Sequence, residues 1–187
     1  MKGKSIIFSA PSGSGKTTIV KYLLKQDLNL EFSISACSRQ PRENEVHGKD
    51  YYFLSVQDFR KGIEQGDFIE WEEVYKDQYY GTLNTELKRI WDAGRHVVFD
   101  VDVVGGSNLK NILGDEALAI FIKPPSLEIL EQRLRDRSSD PEEKIRDRLA
   151  KASEEMEYAN RFDIIILNDR LEVALTEAED VVAKFLS

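Results

Sequence analysis

Cysteine is almost absent. Cys37 stands alone among 187 residues, so no internal disulfide can form, and with only two histidines beside it there is no Cys/His cluster spaced for zinc. A chain without disulfides fits a reducing compartment, and the expected location is the cytoplasm. Long apolar runs are missing too. The stretches Val97 to Val104 and Ile164 to Leu167 are of strand length and interrupted or flanked by aspartates, far short of the roughly 18 residues that a membrane span needs. The run Ser5-Ile6-Ile7-Phe8 behind Met1-Lys2-Gly3-Lys4 is too short for a secretory signal and meets Pro11 at once. Positive charge is not in excess: 26 Lys and Arg against 34 Asp and Glu leave a net charge of -8. That balance argues against a protein that coats nucleic acid or an anionic membrane. A small anionic substrate stays open, because screening limits each charge to roughly 8 Å at physiological salt.

What is present suits one folded domain. Hydrophobic residues are 41% and aromatics 10%, enough to offset the entropy of ordering a chain of this length. Short β-branched runs alternate with stretches of helical period, the pattern of a parallel sheet with crossover helices. Strands are expected at Lys4 to Ala10, His96 to Val101, Ala117 to Lys123 and Asp163 to Asn168, with helices at Lys16 to Gln26 and Leu171 to Leu186. Between them the rhythm changes. Phe32 to Ala36, Tyr51 to Leu54 and Phe68 to Tyr75 read as strands around a helix at Val56 to Gln65, which predicts a small mixed sheet set apart from the core. A second interruption runs from Arg133 to Arg148, where Pro141 is expected as the first residue of a helix capped by Asp140.

The segment Ala10-Pro11-Ser12-Gly13-Ser14-Gly15-Lys16-Thr17 follows the first strand and opens the first helix. Glycines let the backbone curl so that its N–H groups point at a phosphate, and the helix N-terminus adds its dipole. Lys16 then reaches the β and γ phosphates, and the Thr17 hydroxyl can ligate Mg²⁺. Ser12, Gly13, Ser14, Gly15 and Thr18 complete the candidate cradle. Ala10 stands where the general motif has its first glycine, which requires a negative φ there and leaves the turn to Gly13 and Gly15.

Further along come Ser35-Ala36-Cys37-Ser38-Arg39-Gln40-Pro41-Arg42, then Glu45-Val46-His47-Gly48-Lys49-Asp50-Tyr51, Phe68-Ile69-Glu70-Trp71 and Tyr79-Tyr80-Gly81-Thr82. Taken singly, paired arginines are usually a solvated face and tyrosines usually pack. Yet Arg39 and Arg42 are forked donors suited to a phosphate monoester, whose oxygen shell Tyr51 and Tyr80 can complete. The Glu70 carboxylate can accept from N1–H and the 2-amino group of guanine, and adenine offers neither donor. In their order and spacing these segments resemble the guanylate kinases, and the resemblance runs from the glycine loop to Asn168-Asp169.

That resemblance implies an α/β fold: a P-loop parallel sheet flanked by helices, with a small mixed α+β acceptor subdomain and a helical lid insertion. Its parts would be a core at 1–31, 83–124 and 150–187, a GMP-binding subdomain at 32–82 and a lid at 125–149. It implies ATP-dependent phosphorylation of GMP, and of dGMP, with Mg²⁺. Ser35 and Thr82 would offer hydroxyls to guanine O6, Asp102 would help hold the guanine, and Asp100 would organise Mg²⁺, its water or Lys16. The lid arginines Arg133, Arg137 and Arg148 would fold over the ATP phosphates, and Asn168 would lie near the adenine. Val104 replaces the usual Gln, and the link from Glu70 to Tyr80 is a residue longer than usual. A non-catalytic relative that binds a phosphopeptide in the same cleft is the alternative, although such a module has no use for Lys16 or the lid arginines. The expected partners are ATP and GMP, with no nucleic acid and no membrane. Nothing in the sequence marks the choice between a monomer and a homodimer.

Overall fold

The computed structural model describes residues 3–137 and 141–187, with Arg137 described by its backbone alone. Along the chain run β1 (Ser5–Ser9), α1 (Lys16–Leu23), β2 (Leu30–Phe32), β3 (Ala36–Cys37), β4 (Tyr52–Phe53), α2 (Val56–Gln65), β5 (Phe68–Tyr75) and β6 (Gln78–Leu83). Then follow α3 (Asn84–Asp92), β7 (His96–Asp100), α4 (Val103–Leu113), β8 (Ala117–Lys123), α5 (Leu127–Arg137), α6 (Glu142–Glu157), β9 (Ile164–Leu167) and α7 (Leu171–Leu186).

The core is a parallel sheet in the order β2-β7-β1-β8-β9. Its central strands keep polar residues to their ends, at Ser5, Ser9, His96, Asp100 and Lys123, because helices cover both faces. Alternation along β1 divides the load: Ile6 and Phe8 pack with Ile19, Leu23, Ala174 and Val182 of α1 and α7, whereas Ile7 packs with Leu87, Ile90 and Leu109 of α3 and α4. The strand order reverses beside β1, so the loops after β1 and β7 leave the same carboxyl edge, where open α/β sheets bind ligands.

The second sheet runs β4-β3-β6-β5, parallel between β3 and β4 and antiparallel elsewhere. Its own small core is aromatic: Phe59 of α2 stacks on Phe68 at 4.3 Å and on Tyr79 at 5.4 Å. Helices α5 and α6 pack through Leu130, Leu134, Leu149 and Ala152.

Three local expectations are corrected. The strand read at Phe32 to Ala36 is two pieces, because Phe32 pairs with Val98 in the core sheet and Ala36 pairs with Gly81 in the second. The strand expected to run from His96 to Val101 stops at Asp100, and Asp102 caps α4 by accepting the Gly105 N–H at 2.8 Å. Pro141 occupies the position before α6 rather than its first turn, and Asp140 lies outside the described residues.

Candidate active site

The phosphate loop is built by backbone geometry. Gly13 and Gly15 take φ values of 94° and 91°, the left-handed region that side chains rarely adopt, and Ala10 stays out of it. At Gly15 the constraint is double: a Cβ would lie 2.3 Å from Nδ2 of Asn168. That nitrogen donates to the Ser14 carbonyl at 2.7 Å, and the Asn168 backbone N–H donates to Lys123 O at 2.8 Å. Asn168 is therefore a brace between β8 and the loop. Lys16 Nζ lies 2.5 Å from Asp100 Oδ1 and donates to the Val101 carbonyl at 2.9 Å, so the end of β7 holds the loop cation. Ser12, Thr17 and Thr18 are exposed at the mouth, and the buried Ser14 Oγ makes no hydrogen bond.

Across a cleft stands the second sheet. Glu70 is only 8% exposed and its Oε1 accepts the Thr82 hydroxyl at 2.8 Å. Burial pushes its carboxyl up to about 7, and the charges of Asp102 and Glu72 add to the rise. The single Thr82 hydroxyl proton is thus donated to Glu70, which leaves Ser35, half-buried on the cleft wall, as the hydroxyl turned to other partners. Tyr51 and Tyr80 meet edge to face at 6.1 Å, and burial raises Tyr51 above the ordinary phenol range.

Arg39 lies over the Tyr51 ring at 5.0 Å. Its Nε donates to Tyr80 Oη at 3.1 Å, and Nη1 and Nη2 donate to the two Glu45 oxygens at 2.6 and 2.7 Å. Nη1 also donates to Gln40 O at 3.0 Å. These bonds occupy all but one of the five N–H groups of a guanidinium. Glu45 additionally accepts the Arg42 backbone N–H at 2.8 Å, and the Arg39 guanidinium holds its carboxyl down at about 2. The expected arginine fork is therefore not symmetrical: Arg39 is clamped and half-buried, and Arg42 is exposed.

The cleft measures about 570 Å³, within the range of small-molecule sites. The structure brings to it the loop 10–15 with Lys16, Thr17 and Thr18 on one side, Ser35, Tyr51, Glu70 and Tyr80 on the other, and Asp100 and Asp102 between. It does not bring Arg39, Arg42, Thr82, Arg133, Arg148 or Asn168 to the cleft lining; Arg39 and Thr82 stand behind it, bonded to Tyr80 and Glu70. Arg133 donates instead to the Asn168 carbonyl at 3.0 Å, and Arg148 is half-buried on α6. The Arg137 side chain lies outside the described residues. Sequence reasoning passed over Glu45, Glu72, Lys151 and Glu155, of which the last three also line the cleft. Two of them had a local signal: Glu45 lies three residues beyond Arg42, within reach of its N–H, and Glu72 shares a strand face with Glu70 by period two.

Comparison with known proteins agrees with this geometry. The family model described as guanylate kinase matches residues 2–185. A guanylate kinase of Bacteroides thetaiotaomicron is 54% identical over 187 residues, covering 100% of this chain and 92% of that protein. One from Porphyromonas gingivalis is 50% identical, covering 98% of each. The crystal structure of guanylate kinase from Anaplasma phagocytophilum superimposes with a TM-score of 0.77 at 27% identity, over 98% of this chain and 86% of that one. By a match that runs through both sheets and the cleft between them, the chain belongs to the guanylate kinase family.

Proposed function

We propose that this enzyme transfers the γ-phosphoryl group of ATP to GMP, giving ADP and GDP. The observation that carries the reading is the buried Glu70 carboxylate facing the phosphate loop across one cleft. Ionised, it accepts N1–H and the 2-amino group of guanine, and a base with an acceptor at N1 meets an unpaired buried charge instead. Ser35 donates to O6, and Asp102 adds to the amino edge. Arg39, positioned by Glu45 and Tyr80, holds the acceptor phosphate with Arg42, Tyr51 and Tyr80. The loop amides and Lys16 hold the donor phosphates, and Lys16 follows the moving phosphoryl group. Holding donor and acceptor in line is most of what such a reaction requires.

Among the described residues no three His, Cys, Asp or Glu side chains gather to cage a metal ion. The Thr17 hydroxyl and the Asp100 carboxylate on the cleft lining are hard oxygen donors that fit Mg²⁺, which keeps most of its waters and binds through phosphates and one or two protein oxygens. Thr17, exposed on the first turn of α1, and Asp100 would hold it, Asp100 partly through water. When bound it neutralises charge on the donor phosphates.

Residues 32–82 serve as the acceptor subdomain and 125–149 as a lid on the core. Arg133, Arg137 and Arg148 reach the donor phosphates on closure, and the lid excludes water. The partners are soluble nucleotides, and the expected setting is the cytoplasm; among the described residues no helix is long and apolar enough to cross a membrane. ADP release measured with GMP, AMP, UMP and a phosphoserine peptide as acceptors tests the reading. GMP should exceed AMP by ~100-fold or more in kcat/KM, as expected when a buried polar site is left unpaired by the wrong base. Equal turnover of GMP and AMP overturns it.

A further inference from the structure

We infer that Glu72 determines sugar specificity in the acceptor site, its carboxylate accepting the ribose 2′-hydroxyl and so favouring GMP over dGMP. The inference deepens the acceptor reading above and rests on it. The register of β5 and β6 sets Glu70 opposite Thr82 and Glu72 opposite Tyr80. Side chains two apart share a strand face, so the cleft wall carries two rows roughly 7 Å apart. The inner row reads the base. The outer row holds Tyr80, bonded to Arg39 and thus to the phosphate position. A nucleotide that reaches from one row to the other passes its sugar beside Glu72.

Chemistry selects the atom. In a guanine nucleotide the 2-amino group and the 2′-hydroxyl lie along one edge of the molecule. Glu70 and Asp102 face the amino end of that edge, and Asp102 is in turn the acidic neighbour of Glu72. Glu72 Oε2 is shielded from solvent and makes no hydrogen bond, unlike Glu70 Oε1, which already takes the Thr82 proton. An ionised carboxylate only accepts, so this oxygen matches a sugar hydroxyl and rejects a phosphate or the sugar ring oxygen. Burial raises the Glu72 carboxyl, the charge and a side-chain hydrogen bond of Asp102 add to the rise, and Lys151 of α6 draws the group back toward the ionised form that accepts a sugar hydroxyl. A 2′-deoxy acceptor leaves the buried oxygen unpaired, and that deficit is the source of discrimination.

The test compares kcat/KM for GMP, 2′-deoxy-GMP and 3′-deoxy-GMP, with saturating ATP, in the wild type, Glu72→Ala and Glu72→Gln. In the wild type, GMP should exceed the 2′-deoxy acceptor by about tenfold or more, with the 3′-deoxy acceptor close to GMP, as for one lost bond to a charged group. Glu72→Ala should bring the two ribose forms to within about threefold by raising KM for GMP, and Glu72→Gln, which keeps an acceptor oxygen, should retain most of the preference. A wild type indifferent to the 2′-hydroxyl overturns the inference, as does a Glu72→Ala variant that loses both acceptors equally. If Glu72→Ala fails to fold, the wild-type comparison and Glu72→Gln decide. A wild type that turns over no guanine nucleotide refutes the acceptor reading itself, a result distinct from turnover without 2′ preference.

Discussion

Glu70 combines two demands that pull its proton in opposite directions. Reading guanine by two accepted hydrogen bonds needs the ionised form, and burial raises its pKa to about 7. On the proposed reading, kcat/KM for GMP should therefore climb as pH rises from about 6 to 8 and level off above. The same shift fixes the sign of a stability effect. The folded state binds this proton more tightly than the unfolded chain does, so stability falls as pH rises from the ordinary carboxyl range through about 7. Calorimetry should then find Glu70→Gln more stable than the wild type at pH 8, by at most about 3 kcal/mol, with the gap closing near pH 5. An unchanged gap would show that the raised proton affinity is not expressed. Glu45 offers a second case. Its two oxygens aim the Arg39 fork, so Glu45→Gln should raise KM for GMP by about tenfold while kcat moves less. Lys16→Ala should instead suppress kcat by about 10² or more and leave GMP binding, read by titration calorimetry, nearly intact.

Elements differ in how far they could be foreseen. The phosphate loop was legible because its requirement is local: Gly13 and Gly15 supply the left-handed turns, and the strand before and helix after are marked by period. Helix α4 was not, since Val103-Val104-Gly105-Gly106 is a poor helix former and the start is imposed by the Asp102 cap. The split between β2 and β3 was hidden for another reason. Phe32 and Ala36 are four residues apart, and the partners that draw them into different sheets, Val98 and Gly81, are distant in sequence. The Arg39–Glu45 clamp likewise depends on how residues 40–50 fold back, which no periodicity records. The brace on the loop leads to a prediction at this scale. Gly15→Ala forces both a strained φ and a clash with the Asn168 amide, so thermal unfolding should show a loss of about 2 kcal/mol or more and ATP turnover should collapse. A normal melting temperature would mean that Asn168 yields freely.

At the scale of the whole molecule, the function resides in a relation between two sheets. The core sheet presents its carboxyl edge, with Lys16, Asp100 and Asp102, and the second sheet presents Glu70, Tyr80 and, through Tyr80, Arg39. Arg133 is engaged by the Asn168 carbonyl and stands off the cleft, so on the proposed reading its arrival at the donor phosphates belongs to a later, closed arrangement. The central claim is that one buried carboxylate selects the base that is phosphorylated. It is tested most directly by the ratio of kcat/KM for GMP over AMP in Glu70→Gln against the wild type, with ATP and Mg²⁺ saturating. The account predicts a ratio that falls by ~100-fold or more, because the amide cannot accept both guanine donors. A ratio equal to that of the wild type would contradict it.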